Sequence, residues 1–477
     1  MALLGSSLLA GGASSASAQS APPRPTAGVP APPGVAQADQ PAPAQNVETF
    51  DLEAALVAPD RGLTSDDAAK QARERAPQVA SAEAAAKSAE WDAKTQEAAL
   101  YPTVNLSAQY KRISYADNRI MFPGVSVGGF TQPRDNYTLA ATARWPVSDL
   151  FFRVYPALKA SRAVADARGI EVEARVANAD LTAREAFYAH ARALASQVVA
   201  DQALKQAEAQ AAQAKLFVDA GTAAPVDFMT ATARVESMRA ALARTRGSVA
   251  VTRNALATYM GVPTADVGAI RERVTALPEA PSASVDQLLK QGLEQRPELR
   301  AMRKSIGANN LLKSSERAAA YPVLSVEGTD LYADPNPRYI PPKREFRNGW
   351  EVGATLAWSP NNALVGHHRT QRASAEVERA RSDLMALEDG VRIEVVQSYE
   401  DYKAAAEAAR ASDEQRKAAE ETYRVRLATY RVGAGVQIDL LTADLALTQA
   451  RLDHVNAVLD ARISLARLAR ATGGPLR

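Results

Sequence analysis

Two kinds of hydrophobic pattern alternate along the chain. Four stretches of about ten residues alternate apolar and polar positions, a period of two that predicts β-strands. The predicted strands cover about 103–113, 136–147, 323–332 and 349–358. The segment between the two strands of each pair is rich in Pro, Gly and Asn, so we expect two hairpins.

The remaining patterned sequence is rich in Ala and charged residues and predicts long helices. They are expected at about 65–100, 157–218, 228–260, 285–320, 363–430 and 440–472. At about 1.5 Å per residue, each of the two longest would span on the order of 90 to 100 Å. The last helix has apolar residues at coiled-coil spacings of three, four and seven: Leu441, Leu445, Leu452, Val455 and Leu459.

The helix and strand pattern is written twice. The stretch VGAGVQIDLLTADL from Val432 matches AGTAAPVDFMTATA from Ala220, each with a glycine and, six residues later, an aspartate. A Tyr-Pro pair at 101–102 returns at 321–322, and Trp145 returns as Trp358. Landmarks in the same order at nearly constant offset indicate a tandem duplication.

The duplication sets the expected domain organisation. Repeats are expected at 51–261 and 284–477, joined by a linker at 262–283. Residues 1–18 resemble a secretory signal with Ala16-Ser17-Ala18 before the cleavage point, although a flexible tail is the alternative. The Pro- and Ala-rich residues 19–50 read as an extended lead-in.

Composition excludes several classes of function. A net charge of +2 with 23% charged residues gives no basic excess, which argues against a nucleic-acid surface. The chain has no cysteine, so disulfides, thiolate zinc sites and thiol nucleophiles are excluded. We therefore expect any membrane attachment to come from the fold itself, and no run of 18 apolar residues predicts a transmembrane helix.

Motifs for catalysis or metal binding are missing. The sequence has no Gly-x-Ser-x-Gly elbow and no HExxH. The His367-His368 pair lies near the start of a long predicted helix, where adjacent side chains diverge, so surface positions are expected instead of a metal site. We predict no enzyme activity, no cofactor and no metal.

Four ten-residue strands have the length of membrane-spanning strands, but four cannot close a barrel. An open sheet edge in lipid leaves unpaired backbone groups, so several chains would have to pool their strands. A soluble sheet packed on helices is the alternative. Aromatic residues near the strand ends suit a membrane interface or a protein core: Tyr101, Trp145, Tyr332, Trp350 and Trp358.

The duplicated order of helix, Tyr-Pro, hairpin, Trp, long helix, Gly-x5-Asp turn and helix resembles the TolC family of outer-membrane efflux channels. The resemblance covers about 52–473 and implies a mainly α fold with a small β part. It further implies a homotrimer whose twelve pooled strands close one β-barrel, continued by an α-helical barrel across the periplasm.

The same resemblance implies roles for the two Gly-Asp turns. They would form a periplasmic tip, with Val432, Gly433 and Ala434 docking a periplasmic adaptor and Ala220, Gly221 and Thr222 as a weaker counterpart. Asp439 would contribute to a gating ring of carboxylates, with Asp227 as its counterpart. Thr442 stands where the family often has a second aspartate. The alternative is that each glycine ends a helix and each aspartate N-caps the next, for about 1 kcal/mol.

The sequence thus predicts a passive exit duct in the outer membrane with its helical part in the periplasm, serving tripartite efflux or type I secretion. Its partners would be the periplasmic adaptor and an inner-membrane pump. A non-channel periplasmic coiled-coil adaptor or scaffold is the alternative, and a secreted binding protein is a second.

Overall fold

The computed structural model describes residues 56, 62–114, 120–122, 125–127, 133–340 and 342–474. The signal-like segment 1–18 and the lead-in 19–50 lie outside the described residues. Eight helices of ten residues or more lie within the described ranges: α1 Ser65–Arg75, α2 Pro77–Ala98, α3 Tyr155–Asp219, α4 Pro225–Met260, α5 Val285–Gln295, α6 Pro297–Arg317, α7 Pro360–Arg431 and α8 Gln437–Ala471. The fold is mainly α with a small β part.

The two helices expected at 65–100 and 285–320 are each two helices, which corrects the prediction. Pro77 and Pro297 begin the second helix of each pair at its first position. The residues before them, Ala76 and Arg296, have extended backbone with ψ of 129° and 125°. Proline crowds the preceding residue out of the α conformation, so each predicted helix breaks there.

One four-stranded sheet combines the two hairpins. Strands β2 (Thr103–Arg112) and β5 (Asp135–Trp145) form the first, and β7 (Val323–Asp334) and β8 (Arg347–Ala357) the second. All neighbours are antiparallel in the order β2-β5-β7-β8, so β5 and β7 join the two repeats. Each strand begins and ends within two residues of its expected range.

Two short strand pairs complete the described β-structure. Strand β1 (Gly62–Leu63) pairs in parallel with β6 (Ala269–Ile270), which lies in the segment between the repeats. Strands β3 (Ile120–Phe122) and β4 (Val125–Val127) pair within the connection of the first hairpin. The sequence patterns predicted neither pair, because segments of two or three residues are too short to show a period.

The long helices α3 and α7 contain 65 and 72 residues. At 1.5 Å per residue they span about 98 and 108 Å. Helix α3 packs on α2, α4, α6 and α8, while α7 packs on α6 and α8. Within the described residues, no helix has a segment both long enough and apolar enough to cross a bilayer.

The core is thin and distributed in clusters along the helices. The largest cluster centres on Phe187, Leu256, Met260 and Leu459, where α3, α4 and α8 meet the segment between the repeats. The coiled-coil seam predicted in α8 is only partly right, because Leu445 is exposed while Leu440 and Leu447 are buried. Leu441, Val455 and Leu459 of the predicted seam are buried, and alanines fill much of the remaining helix contact.

Candidate membrane sheet and helical tip

The sheet has one apolar face and one polar face. Residues directly opposite in neighbouring strands point to the same side, and the register places Leu106 opposite Ala141 and Val352 opposite Gly328. The face they share carries most of the large apolar side chains: Val104, Leu106, Tyr110, Tyr137, Leu139, Trp145, Leu324, Val326, Tyr332, Trp350, Val352 and Leu356. The opposite face carries residues such as Asn105, Ser107, Thr142 and Thr329.

The apolar face is open. Leu106 is 79% exposed, and Trp350 and Val352 are each 71% exposed. An exposed apolar surface of this extent marks a contact with lipid or with another protein. The expected alternative of a soluble sheet packed on helices is therefore wrong for this chain, since no helix covers this face within the described residues.

The five aromatic residues named as candidates for a membrane interface are all exposed. Core packing within this chain is therefore excluded for them. Two of them have a further role that repeats with the duplication. Trp145 donates its indole N–H to the carbonyl of Leu100 at 3.0 Å, and Trp358 donates to the carbonyl of Ala320 at 3.2 Å. Each tryptophan thus ties the end of a hairpin to the end of the preceding helix.

The helical tip consists of the two Gly-Asp turns, residues 220–224 between α3 and α4 and residues 432–436 between α7 and α8. Gly221 and Gly433 have φ of 73° and 75°, a left-handed conformation that L-residues avoid. In each turn backbone N–H groups donate to the last helical carbonyls, such as Thr222 to Phe217 and Ala434 to Thr429. This pattern is the Schellman helix ending.

Neither aspartate of the tip is an N-cap, which corrects the capping interpretation. The N-cap residues are Ala224 and Val436, and each aspartate is the third residue of its helix. The Asp227 carboxylate accepts a hydrogen bond from the Ala224 backbone N–H at 3.3 Å. It still stabilises the helix start, but from inside the first turn.

The Asp439 carboxylate has a different partner. It accepts a hydrogen bond from the Arg426 guanidinium of α7 at 3.0 Å, and both side chains are about half exposed. Thr442 is exposed, and its hydroxyl donates to the carbonyl of Ile438 within its own helix at 2.7 Å. Arg426 was not among the residues predicted from the sequence, because no motif marks it and only the packing of α7 against α8 brings it to Asp439.

The structure brings the two turns together. The Gln437 side chain donates to the Asp227 carbonyl at 3.1 Å, and the rings of Phe217 and Tyr430 meet edge to face with centroids 5.7 Å apart. Burial and the nearby Asp227 carboxylate raise the pKa of Tyr430 above its ordinary value, so the phenol stays neutral. The two repeats are therefore in direct contact at the tip.

All six residues named for docking are exposed: Val432, Gly433, Ala434, Ala220, Gly221 and Thr222. Apolar side chains surround them on both turns, and the exposed ones are Leu216, Val226, Met229, Val436 and Ile438. Both turns of the tip thus present exposed apolar side chains.

A buried charge lies between the repeats just beyond the tip. Asp444 of α8 has only 1% of its side chain exposed, and its carboxylate lies 3.6 Å from the Arg234 guanidinium of α4. Burial raises the pKa of Asp444 even though Arg234 and Arg451 oppose the shift. Tyr423 of α7 lies near both Asp444 and the buried Gln210 of α3. Helices of both repeats thus contribute polar side chains to this buried region.

The four histidines lie at three different places in the structure. His367 and His368 are exposed, as predicted for the pair, with ring centroids 5.7 Å apart. His190 is buried in α3, 3.1 Å from the Thr252 hydroxyl, and His454 is half-buried near Ser412. Across the described ranges, no three His, Asp or Glu side chains converge as a metal site would require.

Helices of about 100 Å thus carry a sheet whose open apolar face marks a contact with lipid or with another protein. The sequence matches the outer membrane efflux protein family over residues 68–262 and 288–474, so the chain belongs to this family. The protein is located in the outer membrane, and its helical part lies in the periplasm.

Solved structures share the fold. The outer-membrane channel OprN has a TM-score of 0.70 at 18% identity, over 92% of this chain and 98% of that chain. The outer membrane protein VceC of Vibrio cholerae has a TM-score of 0.70 at 18% identity, over 87% of this chain and 97% of that chain. The CmeC outer membrane channel of Campylobacter jejuni has a TM-score of 0.73 at 15% identity, over 88% of this chain and 90% of that chain. No curated protein matches the sequence.

Proposed function

We propose that the protein is the passive exit duct of a tripartite efflux or type I secretion system. It would act as a homotrimer that conducts substrates from an inner-membrane pump to the exterior. The observation that carries the proposal is the four-stranded sheet with one open apolar face and two unpaired edge strands, β2 and β8. Unpaired edges are untenable in lipid, and three copies would supply twelve strands for one closed barrel.

The helical tip would dock a periplasmic adaptor through the exposed residues 220–222 and 432–434. Asp439, Asp227 and Thr442 would lie at the constriction that gates the duct. Opening would be a shift of population between two packings of the helices at the tip. The pump would supply the transport energy, and the duct itself would perform no catalytic step and use no cofactor. We also propose that the first repeat ends at residue 261 and that the second begins at residue 284.

The first test is the assembly and conductance of the purified protein. It should cross-link as a trimer in detergent and give single-channel conductance in a planar bilayer. A monomer that never conducts would contradict the proposal and favour the alternative of a periplasmic adaptor or scaffold.

A matched pair of variants tests the orientation of the sheet. Leu106 and Ser107 are adjacent in β2 and point to opposite faces. Leu106→Arg places a charge on the face assigned to lipid and should cost about 2–4 kcal/mol of stability in the membrane. Ser107→Arg on the other face should leave membrane insertion unchanged. Equal loss of protein from the outer-membrane fraction in both variants would contradict the assignment.

A further inference from the structure

The second Gly-Asp turn differs from the first in one charged contact. Asp439 pairs with Arg426 at 3.0 Å across the helical hairpin, and in the first turn the position equivalent to Arg426 is Ala214, 212 residues earlier. The Asp227 carboxylate instead accepts from the backbone of its own helix start. One repeat thus carries a paired charge where the other carries a methyl group.

Stability does not account for the pair. Both side chains are about half exposed, and exposed ion pairs contribute about 0–1 kcal/mol. Asp439 also does not depend on Arg426 for its place, because its backbone N–H is bonded to the Val436 carbonyl at 3.1 Å. What the arginine changes most is the local charge.

The tip as a whole carries equal numbers of positive and negative side chains. Residues 215–230 and 426–442 contain three basic and three acidic side chains: Lys215, Arg426 and Arg431 against Asp219, Asp227 and Asp439. Clefts lined by one sign of charge concentrate counter-ions, with effects of 10-fold to 1000-fold on association rates. A tip with equal numbers of both signs has no such field.

We infer that Arg426 sets the ion selectivity of the channel tip by neutralising Asp439, so that the constriction discriminates weakly between cations and anions. The inference rests on the proposed function, in which three copies bring their Asp439 side chains together. It makes the cargo class one that includes anionic and uncharged molecules, because no ring of unpaired carboxylates repels them. It also makes the tip resistant to block by polyvalent cations.

The experiment uses the purified trimer in a planar bilayer. Reversal potentials are measured in a KCl gradient, and La³⁺ is added to the tip side as a blocking probe. Wild type should show weak selectivity and weak block. Arg426→Gln exposes the three carboxylates, so it should become cation-selective and bind La³⁺ about tenfold more tightly or better. Asp439→Asn should shift selectivity toward anions, and the double variant should return to the wild-type value.

Arg424→Gln is the matched control. Arg424 lies two residues before Arg426 on α7, is exposed and pairs with Glu421 of the same helix at 2.6 Å. This variant should keep wild-type selectivity and block. Heat-unfolding midpoints within a degree or two of wild type would show that each variant is folded.

Three outcomes would overturn the inference, and each points to a different cause. If wild type conducts but Arg426→Gln changes neither selectivity nor block, the pair does not face the conduction path and the proposed duct still stands. If Arg424→Gln has the same effect as Arg426→Gln, the selectivity reflects total charge instead of this contact. A wild-type protein that does not conduct would overturn both the inference and the proposed function.

Discussion

At the residue scale, glycines set where each helical hairpin turns. Gly221, Gly433, Gly261 and Gly473 all have φ between 67° and 83° and end the four helices α3, α7, α4 and α8. In the sequence these glycines form two pairs 212 residues apart, Gly221 with Gly433 and Gly261 with Gly473. The sequence did not show that they have different surroundings, because the neighbours come from distant parts of the chain.

Substitution by alanine should separate the two kinds of glycine. A Cβ on Gly221 or Gly433 would meet no atom within 4 Å, so only the left-handed backbone is strained, at about 1 kcal/mol. A Cβ on Gly261 would lie 2.8 Å from the Arg75 carbonyl oxygen, and one on Gly473 would lie 3.0 Å from the Arg296 nitrogen. Heat-unfolding midpoints should therefore fall further for Gly261→Ala and Gly473→Ala. Equal midpoints for all four variants would contradict this.

The buried His190 makes the stability of the folded protein depend on pH. Burial, with a contribution from Arg253, lowers its pKa from 6.5 to about 4, and its ring nitrogen bonds to Thr252. As the pH falls from 6.5, the unfolded chain binds a proton before the folded one does. About 3 kcal/mol of stability is therefore lost between pH 6.5 and 4.

Unfolding midpoints measured across this window should fall less steeply in His190→Gln than in wild type. The exposed His367 provides the control, and His367→Gln should follow the wild-type curve. A His190→Gln curve parallel to wild type would show that this imidazole is not the group that titrates.

At the element scale, helices from both repeats pack through small side chains and a few buried polar groups. Asp444 of α8 and Arg234 of α4 form such a contact between the repeats. Breaking a buried pair leaves an uncompensated charge and costs about 3–5 kcal/mol, whereas replacing both partners by apolar residues is often neutral.

Arg234→Met should therefore destabilise the protein by about 3–5 kcal/mol, while Arg234→Met combined with Asp444→Leu should recover most of the loss. A double-mutant cycle on unfolding midpoints measures the coupling between the two sites. Arg424→Met removes an exposed pair and should cost less than about 1 kcal/mol. Additive effects of the Arg234 and Asp444 substitutions would show that the two charges are not coupled.

The bounds of the helices and strands show how much of the secondary structure the sequence pattern predicts. The strands and the helices α3, α4, α7 and α8 have bounds within three residues of those expected. Pro77 and Pro297 broke two expected helices, because proline acts on the conformation of the preceding residue and leaves the hydrophobic pattern unchanged. The seam predicted in α8 was only partly right, because buried alanines carry no periodic signal that distinguishes them from exposed ones.

At the scale of the whole molecule, the segment between the repeats is bound to both. Arg462 of α8 donates to the Glu272 carboxylate at 2.5 Å, and Tyr188 of α3 donates to the same carboxylate at 3.1 Å. The backbone N–H of Ser65, at the start of α1, donates to it at 2.8 Å. One carboxylate thus connects helices of both repeats to the chain that joins them.

The sequence by itself determined the duplication, the type of each long element, the alternating strands and the family. These features are local or repeat in order along the chain, so they can be recognised without knowing which distant residues are in contact. Only the tertiary structure decided which side chains meet: Arg426 with Asp439, Gln437 with Asp227, and Arg234 with Asp444. The last two contacts join residues about 210 positions apart, and a pairing at that separation depends on how the helices are rotated and aligned when they pack. The Arg426–Asp439 ion pair is the contact that distinguishes this chain's second turn from its first.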